Sequence, residues 1–455
     1  MLKKINLSAV QIIPLGFFLI ILCGALFLML PISSATRTGT SFLNALFTST
    51  TSVCVTGGVV VPTYSYWSLF GKIIILILIQ LGGLGIIAVN MIIVVITKKK
   101  ISVRNLILLR DSYDLNSLSN VSVFFRDVIV GTLLVEALGA VTYAIRFVPK
   151  YGVIKGIWYS VFTAISAFCN AGIDILGPDS LMEYKSDYLI LVTTMALIIL
   201  GGLGYVVWFD LRDSVMMKLK KRNSLVKFKK RLGEHTKLVI IITGGLIVLG
   251  ALCIFIMEYS NPDTIGNMSL SDKIVNSIFQ SVTFRTAGFV TIPQSGLREC
   301  SAAFGDVLMF IGGSPVGTAG GVKTITVFIL LLNLVSFVRD RNEIVVFSKK
   351  VSRDFLRKAS AIFMLNLALA IIFTILLSAI DGINIVDSSY EVVSSISTVG
   401  LSRDVTGILS APGKSMIIIA MFLGRIGPIS MALLLNKKHS QKNHVSYAEG
   451  KFFVG

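Results

Sequence analysis

The chain has 455 residues, 54% of them hydrophobic and only 15% charged, with a mean hydropathy of +0.83, a composition that excludes an ordinary soluble domain. The net charge of +18 raises nucleic acid as a partner, but 29 of the 42 Lys and Arg lie before position 8, in 98–126, 212–237 and 339–358, or from 437 onward. Basic residues gathered between apolar runs report membrane topology and exclude a nucleic-acid face, leaving the lipid bilayer as the medium.

In chain order, eight apolar runs approach or exceed the roughly 20 residues that cross a hydrocarbon core. They cover 12–30, 73–96, 128–145, 189–209, 238–257, 304–337, 361–380 and 416–435. The first follows Lys3 and Lys4 but is long for a secretory signal and lacks a small-x-small cleavage site, so it counts as a span. The loops opposite the basic links hold Asp174, Asp179, Glu183, Asp187, Glu258, Asp263, Asp381 and Asp387. By the positive-inside rule both termini and the three basic links are expected to face the cytoplasm.

Between the spans lie four half-length helices, at 41–51, 155–168, 272–284 and 387–397, each too short to cross a bilayer at 1.5 Å per residue. Each runs into a polar loop ending in glycine: Val55-Thr56-Gly57, Asn170-Ala171-Gly172, Thr286-Ala287-Gly288 and Thr398-Val399-Gly400. The glycines are spaced by 115, 116 and 112 residues, a repeat near a quarter of the chain. The spacing predicts an all-α polytopic membrane protein of four parallel repeats, each of outer span, re-entrant helix and second span, around a pseudo-fourfold pore. The repeats run over 1–105, 106–225, 226–345 and 346–455.

Non-helical backbone at membrane depth is tolerated only against protein or a water-filled path. The loops therefore line a pathway, with four helix C-termini favouring a cation. No carboxylate stands in these loops. Selection then rests on carbonyl oxygens that replace a hydration shell, as in potassium filters, and glycine permits the positive φ that turns carbonyls inward.

The second spans carry small residues at Gly82-Gly83, Gly201-Gly202, Gly312-Gly313 and Gly424, which packing alone would explain. The third is different, because Gly312, Gly313, Ser314, Pro315, Gly317, Thr318, Ala319, Gly320 and Gly321 interrupt it. No continuous helix survives that run. It predicts two half-helices joined by a loop over 312–321, either a packing kink or a mobile gate. Gly317 to Thr324 imitates a nucleotide P-loop, but Val322 stands where glycine is required and no β-strand precedes it.

Arg425, in the fourth second span, must face the interior and find partners. Carbonyls of the 312–321 loop are the expected ones, with a structural pin between spans as the alternative. Arg285, just before the third loop, is expected to tie loop carbonyls together, with a barrier to ions as the alternative. Glu136 needs a buried polar partner that the sequence does not name, and Lys323 either bonds the preceding helix end or snorkels. Cys23, Cys54, Cys169, Cys253 and Cys300 show no disulfide or zinc spacing. His235, His439 and His444 lie in predicted cytoplasmic segments, so no histidine-based active site is expected, and the chain is not an enzyme.

The four glycine loops resemble those of the KtrB/TrkH family of potassium uptake subunits over nearly the whole chain. The length and the closing Phe452-Phe453-Val454-Gly455 are closer to KtrB. The resemblance implies K⁺ as the transported ion, with Na⁺ as a possible activator and no organic cofactor on this chain. It also implies a homodimer, a cytoplasmic nucleotide-binding ring of the KtrA type, and an arginine that meets an intramembrane gating loop. Gly58 departs from the bulkier residue usual after the first filter glycine. Two alternatives share the fold: a Na⁺-coupled K⁺ symporter and a less selective monovalent cation channel.

Overall fold

The computed structural model describes residues 9–85, 121–221, 232–341 and 343–427. Among the described residues the regular structure is helical apart from a short hairpin of two two-residue strands, β1 (Val345–Val346) with β2 (Lys349–Lys350). The first quarter holds α1 (Ala9–Met29), α2 (Phe42–Cys54) and α3 (Leu69–Leu84). Next come α4 (Val121–Tyr151), α5 (Val153–Phe168), α6 (Tyr188–Leu203) and α7 (Tyr205–Lys221). The third quarter holds α8 (Glu234–Glu258), α9 (Leu270–Thr283), α10 (Glu299–Phe310) and α11 (Thr324–Val338). The last holds α12 (Arg353–Asp381), α13 (Ile385–Ile396) and α14 (Ala411–Ile426).

Starts are set by local chemistry. Side-chain oxygens of Ser68, Asp187, Ser269, Ser352, Asn384 and Ser410 accept from first-turn backbone N–H groups, satisfying donors that a helix leaves open. Among the described residues, three helices are long and apolar enough to cross a membrane: Phe124–Tyr151, Glu234–Glu258 and Arg353–Asp381. The runs predicted from 73 and from 416 end as helices at Leu84 and Ile426, and their remainders lie outside the described residues.

One expectation needs correction. The run 189–209 is not a single span: α6 stops at Gly204, whose φ is +90°, and α7 leaves at 100°. The physical reason is the neighbour, for Tyr205 N–H donates to Val316 O (3.0 Å) in the 311–323 segment. That contact redirects a backbone group the helix would have used. The break expected in 304–337 is present, between α10 and α11.

The short helices set the packing. Within each quarter the outer helix packs on the short one: α1 on α2, α4 on α5, α8 on α9, α12 on α13. Between quarters, α5 packs on α3, α9 on α6, α13 on α10 and α2 on α14, which closes a cycle. Their faces are buried through Phe47, Phe162, Phe168, Phe279, Phe284 and Tyr390, while Leu138, Val141, Ile241, Ile256, Ile371 and Ile375 face outward. An apolar exterior of this kind belongs in lipid.

Candidate functional site

The cycle of helices delivers four loops to one place. An ideal Cβ at Gly57 would stand 2.5 Å from Ala171 O, at Gly172 2.6 Å from Ala287 O, and at Gly288 2.5 Å from Val399 O. At Gly400 it would come closer still to Thr56 O. Each glycine thus abuts the carbonyl of the next loop, and the four contacts form a ring. No side chain fits at any of them, and all four glycines have positive φ, from +62° to +99°.

Two features of the loops escape the sequence. Val55, Asn170, Thr286 and Thr398 occupy equivalent positions and all have left-handed backbone, with φ between 53° and 66°. Three of these are β-branched, for which that region is disfavoured by about 1–2 kcal/mol. The brace for this strain is a hydroxyl on each short helix. Thr51 Oγ1 accepts from Gly57 N–H (2.9 Å) and Ser394 Oγ from Gly400 N–H (3.0 Å). Ser166 Oγ donates to Ile173 O (2.5 Å) and Thr283 Oγ1 to Phe289 O (2.7 Å). A hydroxyl five or six residues before each glycine is the sequence signal that would have found them.

A cavity of about 610 Å³ opens on one side of the ring, lined by Gly57, Gly172, Gly288 and Gly400 and by Asp174, Asp179 and Asp404. Asp174 accepts from Leu176 N–H (3.2 Å). Burial raises its pKa to about 6, against hydrogen bonds that hold it down.

On the other side lies the segment between α10 and α11. It folds as a tight hairpin, with Gly312 N–H donating to Val322 O (3.0 Å) and Gly313 N–H to Gly320 O (3.3 Å). Ser314 N–H donates to Gly202 O (3.0 Å) and Thr318 N–H to Gly201 O (3.1 Å), so the broken α6 holds it. Pro315 and Gly317 sit against Gly204 and the end of α6, and Ala319 against Gly313. Gly320 abuts Thr398, and Gly321 abuts Gly312.

Arg425 reaches this loop from α14, donating to Thr318 O (2.5 Å), and also reaches Gly82 O of α3 (2.5 Å). The second carbonyl was not foreseen. Lys323 neither bonds the preceding helix end nor snorkels: its Nζ donates to Ala319 O (2.6 Å) inside the loop. Arg285 does not tie loop carbonyls among the described residues. Its Nε is buried without a hydrogen-bond partner, and the side chain borders a cavity of about 10 Å³ with Thr243, Gly202 and Gly313. Glu136 finds Gln80 Nε2 at 3.3 Å and Cys169 Sγ at 3.8 Å, behind the second loop. Gly58 keeps ordinary clearance, its ideal Cβ standing 3.4 Å from Phe47.

A helical chain with membrane-length apolar helices that brings four glycine loops into one ring has the architecture of a membrane transport protein. The chain belongs to the TrkH family, described as cation transport protein, which matches residues 18–447. It is 35% identical to the Ktr system potassium uptake protein B of Bacillus subtilis, over 100% of this chain and 98% of that one. It is 34% identical to the potassium/sodium uptake protein NtpJ of Enterococcus hirae, over 99% and 98%. Among solved structures the potassium transporter TrkH from Vibrio parahaemolyticus matches with a TM-score of 0.75 at 18% identity, covering 95% of this chain and 86% of that one. That likeness speaks to fold.

Proposed function

We propose that this protein is the K⁺-conducting subunit of a KtrAB-type uptake system, with a pseudo-fourfold filter of backbone oxygens built from four parallel repeats. The observation that carries the reading is the ring in which each filter glycine faces the carbonyl of the neighbouring loop. Val55, Thr56 and Gly57, with Asn170, Ala171 and Gly172, supply two strands. Thr286, Ala287 and Gly288, with Thr398, Val399 and Gly400, supply the others. Carbonyl dipoles take the place of the hydration shell, and four short-helix C-termini add negative potential. The membrane potential drives entry, at about 2.3 kcal/mol per charge per 100 mV.

The 312–321 hairpin is the gate in this reading, and Arg425 is its lock. Two cationic side chains donate to adjacent loop carbonyls, Thr318 O and Ala319 O. Their charges repel an approaching K⁺ while the hairpin stays beneath the ring. The chain works as a homodimer under a cytoplasmic KtrA-type ring, with both termini in the cytoplasm of a bacterial cell.

Potassium rescue of an uptake-deficient bacterium at limiting external K⁺ tests the reading. The chain restores growth and Gly400→Ser does not; growth that ignores this substitution overturns the filter assignment. A second reading, uptake coupled to Na⁺, is favoured by the likeness to a potassium/sodium uptake protein. Reversal potentials in proteoliposomes separate the two, since a conductive pore follows the K⁺ Nernst value whatever the Na⁺ gradient.

A further inference from the structure

The gate hairpin does more than lie near the ring, and Thr318 is where the two meet. All three of its polar atoms are engaged, each with a different segment. Its N–H donates to Gly201 O at 3.1 Å, its carbonyl accepts from Arg425, and its Oγ1 donates to Asn170 Oδ1 at 2.9 Å, with Phe168 O of the same segment a longer second acceptor at 3.3 Å. Thr318 and Asn170 are each 1% exposed, so water does not replace this bond when it breaks. Asn170 is also one of the four left-handed loop residues, and its own Nδ2 is buried without a partner. The Thr318 hydroxyl therefore anchors the Asn170 side chain, whose other polar atom has no hydrogen-bond partner among the described residues.

A second contact lies across the ring. Gly320 abuts the fourth strand, with an ideal Cβ falling 2.8 Å from Ser397 O and closer still to Thr398 Oγ1. In the cycle of contacts, strands two and four are opposite each other. The hairpin thus spans the ring from one side to the other.

We infer that Thr318 is a positioning residue for ion selection: through Asn170 it holds the second strand in register, so that opening the gate also loosens the filter. The inference rests on the filter and gate reading above and deepens it. Coupling of this kind is reciprocal, because a ring filled with K⁺ and held in register favours the hairpin that supports it. Loosening the strand therefore shows as weaker K⁺ binding and poorer rejection of Na⁺, not merely as altered flux.

The test compares Thr318→Val, which removes the hydroxyl and keeps the shape, with Thr318→Ser, which keeps the hydroxyl, and with Arg425→Ala. Uptake into cells is measured against external K⁺, with and without competing Na⁺. Thr318→Val raises the half-saturating K⁺ about three- to tenfold, the scale of one buried hydrogen bond, and lowers K⁺/Na⁺ discrimination in step. Thr318→Ser stays near the parent on both measures, and Arg425→Ala raises maximal flux. If Arg425→Ala raises flux while Thr318→Val leaves half-saturation and Na⁺ competition unchanged, the gate does not speak to the filter and the inference is wrong. If neither Arg425→Ala nor deletion of 314–320 changes flux, the gate reading itself fails. Should Thr318→Val not reach the membrane, Thr318→Ala removes the same hydroxyl without added bulk and carries the same comparison.

Discussion

Val55, Thr286 and Thr398 stand in left-handed backbone that β-branched residues avoid, and nothing in their identities announces it. Their strain is held by the braces from Thr51, Thr283 and Ser394, and such strain gathers at functional sites. Glycine is different, since the four glycines of the ring could be named from spacing alone. Gly57 and its neighbour Gly58 make a test of that difference. Gly57→Ala places a methyl 2.5 Å from Ala171 O, so it abolishes growth rescue. Gly58→Ala meets Phe47 at 3.4 Å, an ordinary van der Waals contact, and leaves growth rescue near that of the parent. Asp174 supplies a pH prediction. With a pKa near 6 it is charged above that pH and neutral below, so the negative mouth of the cavity weakens on acidification. Initial K⁺ uptake therefore falls as external pH drops through about 6, and Asp174→Asn flattens the profile; an unchanged profile in the variant removes Asp174 from the pathway.

Among elements, the second helices repay comparison. α3 ends at Gly85, α6 at Gly204 and α14 at Gly427, all with positive φ, while α10 ends at Ile311. A Gly-x-x-Gly spacing at Gly82 and Gly85, Gly201 and Gly204, and Gly424 and Gly427 marks these stops, although only the Pro-containing third run read as a break from sequence. Hydropathy hides the others because Tyr205, Val206 and Val207 continue the apolar run. For the gate, Arg425→Ala or deletion of 314–320 raises K⁺ flux several-fold in tracer uptake, since each removes a hold on the hairpin. Unchanged or lower flux in folded protein counts against gating. A different element is fastened outside the ring: Glu258, at the end of α8, accepts from Asn261 Nδ2 (2.6 Å), Thr264 Oγ1 (2.7 Å), Arg298 N–H (3.1 Å) and Ser301 Oγ. Glu258→Ala removes the acceptor shared by four donors and destabilises the detergent-solubilised protein by about 3 kcal/mol, read as a lower melting temperature with ion selectivity kept.

For the whole molecule, the cycle of α5 on α3, α9 on α6, α13 on α10 and α2 on α14 explains why isolated repeats would leave polar backbone facing lipid. Four loops share one set of oxygens, so truncating any quarter opens the ring. The proposed regulatory ring meets the basic links at 212–237 and 339–358, of which β1 and β2 form part. Neutralising Lys349, Lys350, Arg353, Arg357 and Lys358 abolishes co-purification of a KtrA-type partner while the parent retains it; unaltered binding moves the contact elsewhere.

Chemistry written along the chain settled several matters without coordinates. Apolar length and the fourfold recurrence of glycine are local or periodic properties, and they sufficed for a multi-pass membrane protein and for the four glycines that meet in the ring. Which atoms meet was beyond their reach. Arg425 is 107 residues from Thr318 and 343 from Gly82, Thr318 is 148 from Asn170, and the bend at Gly204 depends on Val316. Burial leaves each such group to find a partner wherever packing brings one, and only the closed arrangement of all four quarters decides where that is.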